Sequence, residues 1–247
     1  MAYQQPEHGH HYLYPEMAKD RWWNYQHRQR RPEEFGRSLE SDAIRGRPIE
    51  ITIAGHSFVK HLKAFAVTNY GFYNNLKLES HVANVKWVGI GGLTVEKMVN
   101  QHLHTITENS PEIVYLELGT NDLSSPHKSA KQVGDSIKEA CMMLLNLGVK
   151  KVIVGEILFR VGKGIPAKTQ EFNYKVVDTN RYLQVILDDN VDDRLFFWRH
   201  KNLWKSSVQL YRDGVHLNEK GNLRLFRSVR GAILKFLWQI RDKDTKQ

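Results

Sequence analysis

The sequence predicts an α/β protein, a parallel sheet with helices on both faces, in one domain of about 200 residues. Two observations carry this. Short runs rich in Ile, Val and Leu alternate with longer segments whose apolar residues recur at helical spacing. Most of the short runs stop at a glycine or a cluster of small polar residues, as strands do where a chain turns into the next helix.

The first strand is predicted over residues 49–54, where Ile49, Ile51 and Ile53 alternate behind Pro48. It ends at Gly55-His56-Ser57, and a helix-compatible segment follows over 58–67. A second strand is expected within 81–88, ending in Gly89-Ile90-Gly91-Gly92-Leu93-Thr94. Thr94 is placed to cap a helix reaching about residue 109, with Val95, Met98, Val99, Leu103 and Ile106 on one face. The third strand is Ile113-Val114-Tyr115-Leu116-Glu117-Leu118, stopping at Gly119-Thr120-Asn121-Asp122. A helix over about 129–147, closed by Gly148, leads to a fourth strand at 151–155. After a loop holding Gly162, Gly164 and Pro166, residues 169–190 read as a long helix. The fifth strand is Leu195-Phe196-Phe197-Trp198. A last helix over about 218–240 follows the loop Asp213-Gly214-Val215-His216.

Composition narrows the class. With 247 residues and 41% hydrophobic content the chain can build a sizeable core. No apolar run approaches the roughly 18 residues of a membrane span, and the N-terminus lacks a basic-then-apolar leader. The single cysteine, Cys141, lies in an apolar helical stretch and reads as a core thiol. Together these favour an intracellular, cytoplasmic protein. The net charge of +9 is uneven: residues 1–48 hold eight Lys/Arg and seven Asp/Glu, residues 220–247 eight Lys/Arg and two Asp. Residues 1–48, rich in Gln, His, Arg and Glu, read as a loosely packed or disordered tail with a short helix around 14–29. Residues 49–247 then form the folded domain. His8, His10 and His11 have no acidic or Cys partner at ligand spacing, so no metal site is expected there.

Ser57 alone reads better as a helix cap than as a nucleophile. Its company changes that. In a parallel sheet the loops that follow strands emerge on one edge, so distant residues can meet there. A serine hydroxyl needs a base, which His216 can supply, and the base needs an orienter, which Asp213 can supply from the same loop. Donors for a developing oxyanion are the N–H of Ser57, the N–H of Gly92 and the side-chain amide of Asn121. The glycine-rich turn lacks the spacing of a dinucleotide fingerprint and the lysine of a P-loop, and a nucleotide- or flavin-binding domain would leave Asp213 and His216 unexplained.

Taken together, Gly55-His56-Ser57, Gly91-Gly92-Leu93-Thr94, Gly119-Thr120-Asn121-Asp122 and Asp213-Gly214-Val215-His216 resemble the four blocks of the SGNH hydrolases, the GDSL-type esterases and lipases. The resemblance covers roughly residues 49–240. It implies a flavodoxin-like three-layer α/β/α fold with a five-stranded parallel sheet. It implies Ser57 as nucleophile, His216 as base, Asp213 as its orienter, and Ser57, Gly92 and Asn121 as the oxyanion hole, with Asp122 supporting the loop that carries Asn121. It implies a serine esterase that passes through an acyl-enzyme and needs no metal or organic cofactor. The aspartate of the first block is His56 here. The Gly-His-Ser form also resembles SGNH-like reading frames of invertebrate genomes, some linked to mobile elements.

Two readings stay open. One is an enzyme acting on a small soluble ester or an acetylated sugar. The other is a catalytically weak or inactive module on the same fold. It binds nucleic acid or a protein partner through the basic C-terminal helix and the Arg/Trp-rich tail. Phe159, Arg160, Trp198, His200, Trp204 and Tyr211 come from loops expected to border the cleft, with Trp198 assigned to the core.

Overall fold

Five strands are laid down by runs of Ile, Val, Leu and aromatic residues. In the computed structural model they are β1 (Ile49–Gly55), β2 (Ala83–Gly89), β3 (Ile113–Glu117), β4 (Lys151–Gly155) and β5 (Leu195–Trp198). The structure describes residues 47–69, 74–161, 167–187, 192–203 and 208–244. The expected N-terminal tail, its short helix and its histidines lie outside these residues, as do Trp204 and the loop with Gly162, Gly164 and Pro166.

The strands pair in the order β2-β1-β3-β4-β5, and every pairing is parallel. This is the flavodoxin-like order. All residues of β3 and β4 are buried, as required of strands covered on both faces. Successive side chains alternate between the two faces. Val114, Leu116, Val152 and Val154 belong to one apolar cluster with Ile137, Leu144, Val176 and Leu183.

The helices are α1 (Ser57–Thr68), α2 (Val95–Lys97), α3 (Leu103–Thr107), α4 (Thr120–Leu123), α5 (Ala130–Asn146), α6 (Ala167–Ile186) and α7 (Glu219–Asp244). Ser129 and Gln132 form a capping box that starts α5, and Gly148 lies just past its end with φ 93°. Cys141 is buried in α5, and burial pushes its thiol up to about 12, so it is an inert core residue. Among the described residues no helix is long and apolar enough to cross a membrane.

Two local expectations change. The single helix expected after Thr94 is interrupted: a π-helical turn, Met98–His102, separates α2 from α3. Thr94 does cap its start by accepting from the Lys97 N–H. The residue that caps α1 is His56, whose ring Nδ1 accepts from the Phe58 N–H at 3.4 Å; Ser57 is the first helical residue.

β1 and β3 pack closely at their carboxyl ends. A Cβ on Gly55 would sit 2.4 Å from the backbone oxygen of Glu117, its registered neighbour across the pair. A backbone atom in mid-sheet cannot move aside, so Gly55→Ala should destabilise the fold by about 3 kcal/mol. Melting followed by circular dichroism should show a fall of roughly 6–12 °C. An unchanged melting temperature would mean that this seam is looser than described.

Candidate functional site

Three loops leave the carboxyl edge of β1, β2 and β3, and hydrogen bonds tie each to the next. The Ile90 N–H donates to the Gly55 carbonyl at 2.9 Å, and the His56 N–H donates to the Glu117 carbonyl at 3.2 Å. Asn121 Nδ2 donates to the Leu93 carbonyl at 2.9 Å, which leaves the second amide N–H for another acceptor. The buried Asp122 carboxylate accepts from the Val95 N–H at 3.2 and 3.3 Å and pairs with Lys128 Nζ at 3.1 Å. Asp122 thus holds the loop after β3 against the start of α2. Gly92 is exposed at φ 69°, with open space around its Cα.

Asp213 and His216 stand on a fourth loop. It is pinched at its base by an antiparallel bridge between Tyr211 and Leu217 and by the Arg212 N–H donating to the His216 carbonyl. It is anchored to the loop after β4 by the Val161 N–H, which donates to the Gly214 carbonyl at 2.8 Å. Gly214 is required twice over: its φ is 83°, and a Cβ would lie 2.3 Å from the Val161 oxygen. Asp213 Oδ1 accepts from the N–H groups of Val215 (3.0 Å) and His216 (2.7 Å), the local turn that Asp favours. Its Oδ2 meets His216 Nδ1 at 3.0 Å and Arg212 at 3.0 Å. What burial Asp213 has works against its charge. The donors from His216, Val215 and Arg212 outweigh it and hold the carboxyl well below the usual carboxylate range.

The His216 ring lies against the first turns of α1. It is 5.1 Å edge-on from the His61 ring and 6.2 Å from that of Phe58. Ser57 opens that helix and is half-buried. The fold therefore brings His216 to the helix turn that carries Ser57. Among the described residues the Ser57 hydroxyl has no hydrogen bond, to His216 or to any other group. Such contacts are often loose before substrate arrives. His61 is pushed below the usual imidazole range by burial and by the nearby His216, Arg212 and Lys60, against Asp213.

Beside Asn121 opens a cavity of about 370 Å³, lined among others by Thr94, Lys97, Asn100, Gln101 and Ser125. Its walls are mainly hydrogen-bonding side chains. Ser57 and His216 do not line it. Of the residues expected at the cleft border, His200 and Tyr211 are buried instead. Trp198 is half-buried and donates from Nε1 to Ser228 Oγ at 2.9 Å. Arg160 is half-buried, stacks on Phe172 at 3.9 Å and donates to Ser124 Oγ.

Beneath the site runs a buried polar network that sequence reasoning missed. Glu117 Oε2 meets Tyr115 OH at 2.8 Å and His200 Nε2 at 3.3 Å, and His200 Nδ1 meets Ser228 Oγ at 2.9 Å. Burial, then the Glu117 charge and hydrogen bond, push the Tyr115 hydroxyl well above its usual value. The one available signal was a glutamate inside an otherwise apolar strand.

A family model for GDSL-like lipase/acylhydrolase matches residues 52–229. Among solved structures, a proposed acylhydrolase from Bacteroides fragilis superposes with a TM-score of 0.58 at 18% identity, over 85% of this chain and all of that one. A GDSL-like lipase from Bacteroides thetaiotaomicron gives 0.56 at 16%, over 81% and 97%. The acetylxylan esterase Axe2 from Geobacillus stearothermophilus gives 0.51 at 14%, over 74% and 93%. At these identities the likeness is one of fold. A sequence comparison with curated proteins finds no match.

His56 carries a pH signature. Burial pushes its imidazole down to about 4 against the pull of Glu117, with His216 pushing the same way. Unfolded, it titrates near 6.5. Between these values the unfolded chain binds a proton that the folded chain does not, so stability is full above 6.5 and falls as pH drops toward 4. Over that window the loss should be about 3 kcal/mol. His56→Asn keeps a capping side chain without a titrating group and should show a smaller loss. Urea midpoints of both proteins at pH 7 and 4.5 decide this, and parallel behaviour would exclude His56 as the source.

Proposed function

Since the chain belongs to the GDSL-like lipase/acylhydrolase family and is an ester hydrolase of the SGNH type, we propose that it works through Ser57, His216 and Asp213 by way of an acyl-enzyme. One observation carries this reading: the Asp213–His216 pair, bonded at 3.0 Å, has its imidazole against the first turns of the helix that Ser57 opens.

The steps follow from the atoms. Asp213 holds the His216 proton on Nδ1, which leaves Nε2 as a base. Ser57 Oγ attacks the ester carbonyl carbon as its proton passes to Nε2. The carbonyl oxygen becomes an oxyanion, received by the N–H groups of Ser57 and Gly92 and by the Asn121 amide hydrogen that Leu93 leaves free. The tetrahedral species collapses, and the alcohol leaves with the proton from His216. Water, deprotonated by the same nitrogen, then attacks the acyl-enzyme and restores the Ser57 hydroxyl.

The polar cavity on the Asn121 side suits a hydroxyl-bearing ester better than a long acyl chain. The acetylxylan esterases among the structural neighbours favour the same substrate class. A short-chain acyl group on a small polar or sugar alcohol is the substrate this reading names.

A fluorophosphonate probe should label the wild type and leave Ser57→Ala and His216→Ala unlabelled. Ser57→Ala should lower kcat on a p-nitrophenyl acetate substrate by about 10⁶-fold, on the precedent of other serine hydrolases. Asn121→Ala should cost about 10²–10³-fold. Wild-type turnover by Ser57→Ala would sink the assignment.

A further inference from the structure

We propose that a basic cavity between α7 and the turn at Leu76-Lys77 binds the phosphodiester backbone of a single nucleic-acid strand. The cavity measures about 270 Å³ and is lined by Lys77, Leu223, Phe226, Arg227 and Arg230. Three of the five lining side chains are cationic, and none is a carboxylate.

Both arginines hold donors in reserve. Arg230 is half-buried and donates from Nε to the Leu76 carbonyl at 2.8 Å. That bond fixes the plane of the guanidinium, and its two terminal nitrogens have no partner among the described residues. Burial without a counter-charge pushes this guanidinium below its usual value. Arg227 is exposed and makes no hydrogen bond or ion pair among the described residues. A partly desolvated arginine with no carboxylate is costly to hold, and a phosphate oxygen pair is the group its fork matches.

The turn opposite is rigid. Leu76 and Lys77 both occupy the left-handed region, at φ 54° and 56°, although neither is glycine. Leu76 is fully buried. Asn75 pins the turn by donating to the carbonyls of Leu78 and Ala83 and accepting from the Val85 N–H. Strain of this kind persists only where the surroundings enforce it, and here it holds Lys77 at the cavity wall.

The basic surface extends beyond the cavity. Lys220, Arg224 and Arg227 are exposed at four- and three-residue spacing along α7, neighbours about 5–6 Å apart. From residue 220 to 241 the chain has no Asp or Glu. A row of cations leading into a pocket fits a strand with successive phosphates better than one free phosphate ion. A membrane surface fits less well. Among the described residues the exposed large apolar side chains are Val67, Met142, Met143, Leu147, Tyr174 and Val185, and none lies on α7. None of the residues assigned to ester hydrolysis lines this cavity.

The test is fluorescence anisotropy of a labelled 20-nucleotide oligo-dT with the full chain across a salt series. The wild type should bind, and affinity should fall steeply with salt. Arg227→Gln/Arg230→Gln should weaken binding at least tenfold and shallow the log–log salt slope by about 1.4, the share of two phosphates on a single strand. Arg227→Glu changes only an exposed side chain and should weaken binding without altering the melting temperature. Arg230→Lys should bind between the wild type and the double variant. The idea is overturned by no binding at 50 mM salt, by a double variant that binds as the wild type does, or by displacement with equimolar inorganic phosphate. Capture by phosphatidylserine vesicles but not by the oligonucleotide would overturn it too.

Discussion

The close approach of β1 and β3 at their carboxyl ends is the constraint on which the site depends. With Gly55 flat against the Glu117 carbonyl, the chain beyond β1 turns at once, and the His56 N–H reaches that same carbonyl. Ser57 consequently opens α1 directly above the seam. The Glu117 side chain lies at the same point, anchored by Tyr115 and His200. One residue therefore fixes the edge twice, through its backbone to the serine loop and through its carboxylate to the buried layer below. The cost of burying that side chain is offset by the Tyr115 hydroxyl, which donates to it, and by the His200 ring that meets it.

From this edge the remaining loops are hung by short polar links rather than by apolar packing. Asn121 reaches Leu93, Asp122 reaches Val95, and Gly214 receives Val161. Each link joins one candidate block to another loop of the same rim. A side chain that both holds its neighbour and keeps a donor free, as Asn121 does, couples the rigidity of the rim to its chemistry.

Much of this was legible in the sequence for a physical reason: strands covered on both faces must be continuously apolar, and Ile113–Leu116 and Val152–Val154 are. β4 and β5 match residue for residue, and α5 carries its signals locally in Ser129, Gln132 and Gly148. The candidate residues stood out because three blocks began where strands ended and the fourth stood just before the last helix. What was not legible is what depends on distance. His200 and Glu117 are 83 residues apart, and only the fold shows that they meet. His200 and Tyr211 looked like cleft residues because loop polarity says nothing of depth. The cap of α1 went to His56 because an imidazole nitrogen can accept a hydrogen bond, a role that cap preferences give to Ser or Asp. The π-turn after Lys97 leaves the pattern of buried residues nearly intact, so periodicity could not reveal it.

The identity of that cap has an electrostatic consequence. A helix start bears roughly half a positive charge from its unpaired N–H groups, and an aspartate there would largely cancel it. Here the cap is an imidazole held neutral above about pH 4, and α1 has no acidic residue in its first turn. The partial charge at the head of α1 is left uncompensated, and Ser57 occupies the position where that field is strongest. Any negative charge formed on or beside its oxygen is met by a helix field that no carboxylate on that turn has already spent.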